Sequence, residues 1–261
     1  MATGVFYLWQ GAETAMSKVI FITGGTRGIG HAIAGAMLHS GNSVAIAGTT
    51  ADGVATAVSR LQSAVATATP DDAHPMPRVT GVTCDVRDAH AVERAIADVA
   101  ASFGRIDVLV NCAGVGTGAP IAELSHDEWR RIIDTNLTGV FNCCKAVIPR
   151  MRASGSGWIV NISSLSSTGP FPGGAAYCAS KAGVNVFSDA LMQELRHDNI
   201  RVTVVLPGSV ATGFSGRDAG SGDDWKLQPE DVAHAIVDLL SHPSRSLPSR
   251  IDIRPARPRN R

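Results

Sequence analysis

The sequence predicts an α/β fold of the doubly wound type, in which helices cover both faces of one parallel β-sheet. Short runs of apolar, often β-branched residues alternate along the chain with longer stretches of helical periodicity. Strands that are apolar at every position are typical of a parallel sheet buried on both faces, and right-handed crossovers place helices on both sides of it. A chain of 261 residues, 44% of them hydrophobic, suits one such domain without disulfide or metal support.

The predicted elements follow one another in a regular order. The first strand is a continuous apolar run at 19–23, and a helix at 29–39 follows it after glycine-rich sequence. Ser125 caps a long helix at 127–152, which begins with two acidic residues. The remaining strands are predicted at 43–47, 79–84, 106–110, 158–162, 200–206 and 250–253, and the remaining helices at 51–66, 89–103, 175–196 and 230–240.

One folded domain is predicted at 18–261. Residues 1–17 add no pattern of their own and are predicted to form a flexible N-terminal extension. The segment 213–224 is rich in Gly, Ser and Asp, and it is predicted to be a mobile loop, because a helix and a strand still follow it. No internal repeat and no second-domain pattern occur in the sequence.

Composition and charge argue against several classes of function. Lys plus Arg and Asp plus Glu both number 23, so the sequence lacks the basic excess typical of nucleic-acid binding. No apolar run approaches the roughly 20 residues of a membrane span. The cysteines are odd in number and lack framework spacing, which favours reduced thiols and a cytoplasmic location. The histidines are scattered, so no metal site is predicted.

Glycines cluster directly after the first predicted strand, at Gly24, Gly28 and Gly30. Glycine lets the backbone turn tightly and approach a phosphate, and the helix that begins here offers free N–H groups and the positive end of its dipole. The spacing differs from the standard Gly-x-Gly-x-x-Gly, and the alternative is an ordinary glycine-rich turn. In this context the pattern predicts a Rossmann-type dinucleotide site, whose turn also contains Thr26, Arg27 and Ile29.

Arg27 favours NADP(H) over NAD(H) as the dinucleotide. A cation in the first turn of a helix opposes the helix dipole, and a 2′-phosphate on the adenosine ribose would offset that cost. The second strand is followed by Thr49, where an Asp or Glu would bind a free 2′-hydroxyl and repel a phosphate. The alternative is that Arg27 is an exposed surface residue.

Further candidates follow the third and fourth strands, at the edge where doubly wound sheets bind ligands. Asp85, with Val86 beside it, could accept a hydrogen bond from the adenine amino group, or it could cap its own loop. Asn111 is followed by the small residues Ala113 and Gly114, which would let a ring lie flat against the chain. Asn111 itself could serve only to tie down the turn.

Tyr177 and Lys181 lie four residues apart near the start of a predicted helix, which places both side chains on one face. An unperturbed phenol has a pKa of about 10. A neighbouring ammonium is expected to lower the pKa of Tyr177 and to suit it to acid–base catalysis near neutral pH. The spacing by itself is common, so a purely structural pair is the alternative.

Two more polar residues accompany this pair. Ser164 ends a predicted strand one loop before Tyr177, with Ser163 as the competing hydroxyl and turn capping as the alternative role. Asn136 lies inside the long helix, shortly before Gly139, where both residues are locally unfavourable. We therefore expect Asn136 to bind a water at a helix distortion, unless it is a surface residue.

Taken together, these residues resemble the short-chain dehydrogenase/reductase family from about residue 18 to residue 255. Gly24, Gly28 and Gly30 match the family's cofactor turn, and Cys112 replaces the second Asn of its Asn-Asn-Ala-Gly segment. The residues that match the family's catalytic tetrad are Asn136, Ser164, Tyr177 and Lys181. Those that match its nicotinamide-binding segment are Pro207, Gly208, Val210 and Thr212.

The resemblance implies an NADP(H)-dependent oxidoreductase that interconverts a carbonyl and an alcohol. It implies that Tyr177 is the acid/base, that Ser164 stabilises the substrate oxygen, and that Lys181 binds the nicotinamide ribose. It further implies that Asn136 holds a water and that the protein is a homodimer or homotetramer assembled through the helices at 127–152 and 175–196.

The substrate is expected to be a small carbonyl or alcohol, bound among the loops after the strands. Candidate contacts there are Ser164, Leu165, Phe171, Tyr177 and Phe214. A 3-oxoacyl-carrier-protein reductase is an alternative, although segment 250–255 lacks that group's Val-Asn-Gly-Gly ending and the turn at 153–157 lacks basic residues to dock an acidic carrier. An alternative from another class is a non-catalytic protein that binds or senses NADP(H).

Overall fold

A computed structural model gives the fold. It describes residues 17–65, 77–116, 118–214 and 224–257. Nearly all of the predicted N-terminal extension, and residues 215–223 of the predicted mobile loop, lie outside these ranges.

The described residues form one parallel sheet in the strand order β3-β2-β1-β4-β5-β6-β7. The chain runs outward from β1 to β3, crosses back to β4, and continues to the other edge, which confirms the predicted doubly wound Rossmann-type architecture. The strands are β1 Val19–Thr23, β2 Ser43–Gly48, β3 Val79–Thr83, β4 Val108–Asn111, β5 Gly157–Ile162, β6 Ile200–Pro207 and β7 Arg250–Ile253.

Helices cover both faces of the sheet because alternate residues of each buried strand point to opposite sides. Ile20 and Ile22 pack towards α1, α2 and α7, whereas Phe21 packs towards α3, α5 and α6. The helices are α1 Gly28–His39, α2 Ala51–Val65, α3 Ala89–Phe103, α4 His126–Ile133, α5 Gly139–Ala153, α6 Ala175–Leu195 and α7 Pro229–Leu240.

The predicted single helix at 127–152 is wrong in one respect. Ser125 does cap its start, where the hydroxyl accepts the N–H of Glu128. However, a π-helical segment, Asp134–Thr138, separates α4 from α5. There the N–H of Gly139 donates to the carbonyl of Asp134, five residues back. The distortion expected around Asn136 is therefore present, and it takes the form of a π-turn.

Strand β4 also begins and ends later than the apolar run predicts. Asp107 precedes it, and a carboxylate oxygen of Asp107 accepts the N–H of Val19 at 2.8 Å. At the other end Asn111 belongs to the strand and pairs with Thr23 of β1 and Asn161 of β5. A polar residue therefore extends β4 to the edge of the sheet where the candidate site lies.

Candidate active site

The glycine turn after β1 forms a backbone cradle at the carboxyl edge of the sheet. Gly24 has a φ of 67°, and a β-carbon there would lie 2.8 Å from the Cα of Ala113. A β-carbon on Gly30 would lie 2.4 Å from the carbonyl oxygen of Gly24. Only glycine fits these positions, so the turn stays narrow and the free N–H groups that begin α1 face the edge. This arrangement suits a pyrophosphate.

Arg27 is the N-cap residue of α1, immediately before the first helical turn in which the sequence analysis placed it. Its side chain is exposed, and no described residue forms an ion pair with it. Thr49, which follows β2, is exposed as well. Arg27 is thus a free cation beside the cradle, within the described part of the chain.

Asp85 is engaged within its own loop rather than presented to a ligand. Its carboxylate accepts hydrogen bonds from the Arg87 side chain at 2.6 and 3.0 Å and from the Arg87 backbone N–H at 3.0 Å. These bonds to Arg87 lower the pKa of Asp85. In the structure the Asp85 carboxylate therefore caps its own loop, which is the alternative role considered above. The Val86 side chain is buried, and it packs so closely on Gly139 that only glycine fits there.

Asn111 ties the sheet together, as its alternative role anticipates. Its Nδ2 donates to the Oδ1 of Asn161 at 2.8 Å, and the Asn161 amide in turn donates to Ser188 of α6 at 2.8 Å. Beyond Asn111, the N–H groups of Cys112 and Ala113 donate to the Thr23 hydroxyl. These bonds hold the loop after β4 against the glycine turn.

Lys181 lies in the middle of the site and is 5% exposed. Its Nζ donates to the carbonyl of Ile162 at 2.8 Å and stands 5.9 Å from the centre of the Tyr177 ring. A β-carbon on Gly114 would lie 3.6 Å from this Nζ, so the loop after β4 passes directly beside it. Burial lowers the pKa of Lys181 to about 8.

The expected effect of Lys181 on the Tyr177 phenol is not found. Burial raises the pKa of Tyr177 above its ordinary value of 10.0, and a hydrogen bond with Ser164 opposes that increase. The ammonium of Lys181 is buried and donates its hydrogen bond to the Ile162 carbonyl and not to the phenol. In this chain Ser164 is the residue that favours the phenolate.

The Ser164 hydroxyl is the one that reaches Tyr177, and the competing Ser163 points elsewhere. Ser163 donates to the carbonyl of Lys181 at 3.1 Å and so fastens the end of β5 to α6. The Ser164 oxygen accepts the N–H of Ser166 at 3.1 Å. Because that bond uses a lone pair, the Ser164 proton remains available for donation.

Asn136 holds the loop after β4 to α6 and is fully buried. Its Oδ1 accepts the N–H of Val115 at 2.8 Å, and its Nδ2 donates to the carbonyl of Val115 and to the Ser180 hydroxyl. Ser180 donates onward to the carbonyl of Tyr177 at 2.7 Å. The side-chain amide of Asn136 is therefore occupied by protein groups.

Phe214 is the predicted substrate contact that the structure brings to Tyr177. Its ring meets that of Tyr177 edge-to-face, with centroids 5.8 Å apart, and it is 39% exposed. Leu165 lies against Gly208 after β6. The ring of Phe171 covers Gly174, the N-cap of α6, rather than Tyr177.

The segment after β6 reaches back to the glycine turn. Pro207 ends β6, and the N–H of Gly208 donates to the carbonyl of Ile253 at 2.8 Å. Val210 then pairs with Leu227. A β-carbon on Gly28 would lie 3.3 Å from the Cγ2 of Thr212. The predicted cofactor segments, although distant in sequence, therefore meet at one edge of the sheet.

Comparison with known proteins decides the family. Residues 18–219 match the family model for short chain dehydrogenases. The chain belongs to the short-chain dehydrogenase family. It is accordingly an oxidoreductase that acts on CH–OH groups, of a family that uses nicotinamide cofactors.

Relatives of this short-chain dehydrogenase carry several different activities in their names. It is 38% identical over 234 residues to the D-threitol dehydrogenase of Mycolicibacterium smegmatis, covering 86% of each chain. It is 33% identical over 241 residues to the 3-oxoacyl-[acyl-carrier-protein] reductase of Chlamydia muridarum, covering 88% of this chain and 92% of that one.

Among solved structures, the alcohol dehydrogenase of the archaeon Thermococcus sibiricus in complex with 5-hydroxy-NADP superposes with a TM-score of 0.83 at 29% identity. The superposition covers 93% of this chain and 99% of the alcohol dehydrogenase chain. A metagenomic short-chain oxidoreductase in complex with NADP superposes with a TM-score of 0.78 at 30% identity, covering 93% and 99% of the two chains.

None of the described helices of this short-chain dehydrogenase is both long enough and apolar enough to cross a membrane. No cluster of three or more His, Cys, Asp or Glu side chains in the described part of the chain could hold a metal ion.

Sequence reasoning missed Ser180, which lies between Tyr177 and Lys181 in this short-chain dehydrogenase. Ser180 connects Asn136 to the backbone of Tyr177 and is fully buried. One clue was present in the sequence: Ser180 lies three residues after Tyr177, and a serine within a helix commonly bonds a backbone carbonyl three or four residues earlier.

The buried ammonium of Lys181 is expected to reduce the stability of this short-chain dehydrogenase near neutral pH. Because the folded chain lowers the pKa of Lys181 from 10.5 to about 8, it binds fewer protons than the unfolded chain between those values. Stability therefore rises with pH through that window, and the full penalty applies below it. We expect Lys181→Met to raise the free energy of unfolding at about pH 7 by about 1–3 kcal/mol.

Urea unfolding of Lys181→Met and wild type at about pH 7 and about pH 10 measures this effect. The advantage of the variant should shrink at the higher pH. Lys145→Met, which removes an exposed lysine of α5, is the control and should change stability by less than about 0.5 kcal/mol. A Lys181→Met protein that is less stable than wild type near neutral pH would show that the ammonium stabilises the fold.

Proposed function

We propose that this chain is an NADP(H)-dependent oxidoreductase that interconverts a small ketone, aldehyde or 3-oxo compound and the corresponding alcohol, with Tyr177 as the acid/base. One observation carries the proposal. The Tyr177 phenol, the Ser164 hydroxyl and the Lys181 ammonium lie at the same edge of the sheet as the narrow glycine turn, where α1 begins. A protein that merely binds or senses a dinucleotide would need the cradle but not the phenol.

The residues present fit a dinucleotide. The narrow turn at Gly24, Gly28 and Gly30 would hold the pyrophosphate. The segment after β6 lies against the same turn through Thr212, and with Pro207, Gly208 and Val210 it would hold the nicotinamide amide. In this proposal Thr26, Ile29, Ala113 and Gly114 line the route between the two ends of the cofactor. Asp85, Val86 and Asn111 hold the loops that border it.

Arg27 supports a preference for the 2′-phosphorylated cofactor. It is exposed at the N-cap of α1, and no described acidic residue neutralises it. Thr49 at the end of β2 brings no negative charge that would repel a phosphate. The two superposed structures named above are complexes with NADP and 5-hydroxy-NADP, which agrees with this choice.

The chain's own groups account for proton transfer. The nicotinamide cofactor, when bound, supplies or accepts the hydride. Ser164, whose oxygen already accepts the Ser166 N–H, donates its proton to the substrate oxygen and stabilises negative charge there. Tyr177 donates a proton to that oxygen in reduction and removes it in oxidation. Lys181, with its pKa of about 8, would bind the nicotinamide ribose and exchange protons near neutral pH.

An apolar pocket is proposed for the substrate. Phe214 stands over Tyr177, and Leu165 and Phe171 border the same loops, so the substrate would contact carbon on one side and the Ser164 and Tyr177 hydroxyls on the other. The same groups would serve any small carbonyl, so the mechanism does not depend on whether the chain is a 3-oxoacyl-carrier-protein reductase. The Chlamydia muridarum relative is the reason to test that substrate class.

Exposed apolar side chains on α5 and α6 bear on the assembly of the protein. Phe141 of α5 is 46% exposed and Val186 of α6 is 71% exposed, which supports the family's homodimer or homotetramer through these two helices. We propose that 18–261 is the catalytic domain, that the protein acts in the cytoplasm, and that it binds neither nucleic acid nor membranes.

The function is tested by fluorescence titration with NADPH and NADH, followed by turnover assays on a panel of carbonyls. The panel contains ketones, aldehydes and an acetoacetyl thioester, and loss of NADPH absorbance reports reduction. Tight NADPH binding with turnover supports the proposal and identifies the substrate class. Tight binding without turnover on any carbonyl would favour the non-catalytic alternative.

Replacing Arg27 is expected to remove the cofactor preference. A charge-assisted hydrogen bond to phosphate contributes about 1.5–3 kcal/mol, so Arg27→Ala should weaken NADPH binding about 10- to 100-fold. NADH binding should change less than about threefold, because NADH carries no 2′-phosphate. Fluorescence titration measures both, with Arg60→Ala, an exposed arginine of α2, as the control. Equal losses for the two cofactors would assign Arg27 a role other than phosphate recognition.

A further inference from the structure

A buried asparagine contacts the turn that carries Ser164. Asn185 lies one helical turn beyond Lys181 on α6 and is 8% exposed. Its Nδ2 donates to the Ser167 hydroxyl at 2.8 Å. Ser167 in turn donates to the backbone carbonyl of Ser164. A continuous chain of hydrogen bonds thus runs from the catalytic helix to the backbone of the catalytic serine.

The direction of these bonds is determined by their donors. Because Ser167 gives its only proton to the Ser164 carbonyl, its oxygen must act as an acceptor towards Asn185. The amide of Asn185 must therefore present its NH₂ group, and not its oxygen, to Ser167. The Oδ1 of Asn185 is buried and has no hydrogen-bond partner among the described residues.

An unpaired buried oxygen reduces stability. An asparagine with such an oxygen is therefore expected where its NH₂ group makes a hydrogen bond that the protein needs. The use visible here is the turn Leu165–Ser167, a single 3₁₀ turn that follows β5. That turn determines the direction of the Ser164 hydroxyl, because the N–H of Ser166 fixes the Ser164 oxygen at 3.1 Å. A displaced turn would therefore displace the hydroxyl.

We propose that Asn185 is a positioning residue that, through Ser167, holds the turn after β5 so that the Ser164 hydroxyl faces the Tyr177 phenol. This inference rests on the proposed function and extends it to two residues outside the catalytic tetrad. Asn185 acts through Ser164 and not on the phenol itself. Its removal should consequently have no effect on the phenol once the Ser164 hydroxyl is absent.

The ionisation of Tyr177 provides a readout that a general loss of stability would not mimic. The titratable groups that face the phenol are Lys181, Cys178 and Cys112. The variants proposed below replace none of them. The chain contains only two tyrosines, Tyr7 and Tyr177, so Tyr7→Phe leaves a single phenol whose tyrosinate absorbance can be followed directly.

The test measures tyrosinate absorbance against pH and the pH dependence of alcohol oxidation, both in the Tyr7→Phe protein. Asn185→Leu and Ser167→Ala should each move the Tyr177 ionisation to higher pH by about half a unit to one unit. They should also reduce kcat about tenfold with an unchanged KM for the cofactor. Ser167→Thr retains the hydroxyl and should restore most of the activity.

A double-mutant cycle separates positioning from structural support. Ser164→Ala alone should move the Tyr177 ionisation to higher pH. Asn185→Leu added to Ser164→Ala should move it no further. Thr203→Val removes a buried hydroxyl in the middle of β6 that bonds the Trp158 side chain and the Pro248 carbonyl. It should lower the melting temperature without moving the ionisation. Circular dichroism at each pH confirms that the points used come from folded protein.

Two failures can be told apart. An Asn185→Leu protein whose Tyr177 ionises as in wild type overturns the positioning role, even if NADPH-dependent turnover is normal. Absence of turnover in wild type would overturn the proposed function, whereas the tyrosinate titration of the cofactor-free protein would still decide whether Asn185 controls the environment of the phenol. If Asn185→Leu moved the Tyr177 ionisation to still higher pH in the Ser164→Ala protein, that result would also contradict the inference.

Discussion

Tyr177→Phe is expected to lower kcat by about 10³-fold or more, because in the proposed mechanism Tyr177 exchanges a proton with the substrate oxygen. The phenyl ring should keep the edge-to-face contact with Phe214, so the fold and the entrance to the site should persist. NADPH affinity should remain within about threefold of wild type. Steady-state kinetics and fluorescence titration measure the two quantities on the same preparation.

Tyr7→Phe is the matched control for this experiment, since it removes the only other tyrosine hydroxyl of the chain. It should leave kcat unchanged. Substantial turnover by Tyr177→Phe would transfer the acid/base role to another group, and the Lys181 ammonium, with a pKa of about 8, would be the first to test.

Gly30→Ala is expected to disable the cofactor cradle. The added β-carbon would lie 2.4 Å from the carbonyl oxygen of Gly24 and 2.9 Å from its carbonyl carbon, so the backbone of the turn must move. We expect NADPH affinity to fall about 100-fold or more and the free energy of unfolding to fall by about 1–3 kcal/mol. Fluorescence titration and urea unfolding measure the two effects.

Gly35→Ala offers a control in the same helix. A β-carbon there would meet only the Cδ2 of Leu61, at 3.9 Å, which is ordinary contact. Because alanine is the better helix former, this variant should gain about 0.5–1 kcal/mol in stability and bind NADPH like wild type. If Gly30→Ala behaved in the same way, the turn would be more tolerant than its geometry indicates.

The fold could be predicted because its main determinants are local. Each buried strand is a run of apolar residues, and right-handed crossovers between parallel strands place helices on both faces of the sheet. The prediction failed where a polar residue or a distant partner sets the structure. Asn111 extends β4 through its pairing with Thr23 and Asn161, and the π-turn forms around Asn136, whose partners Val115 and Ser180 lie far away in sequence.

The candidate site was predictable in its members but not in its electrostatics. Ser164, Tyr177 and Lys181 follow from strand ends and helical spacing, and the structure brings them together. The direction of the Tyr177 pKa depends on burial, which spacing does not reveal. The pairing of Asp85 with Arg87 depends on a side-chain orientation that the sequence leaves open. The link from Asn185 to Ser167 needs the packed loop after β5.

The π-turn of Asp134–Thr138 accommodates one inserted residue. Ile132 and Met151 are both fully buried, yet at 3.6 residues per turn they stand roughly 5.3 α-helical turns apart, about 100° out of phase. Taking one residue up in the π-turn brings the separation close to five whole turns, so both ends share the buried face. A deletion within this segment would leave that face in register and regularise the helix. What it would remove is the bulge around Asn136, whose side chain bonds Val115 and Ser180.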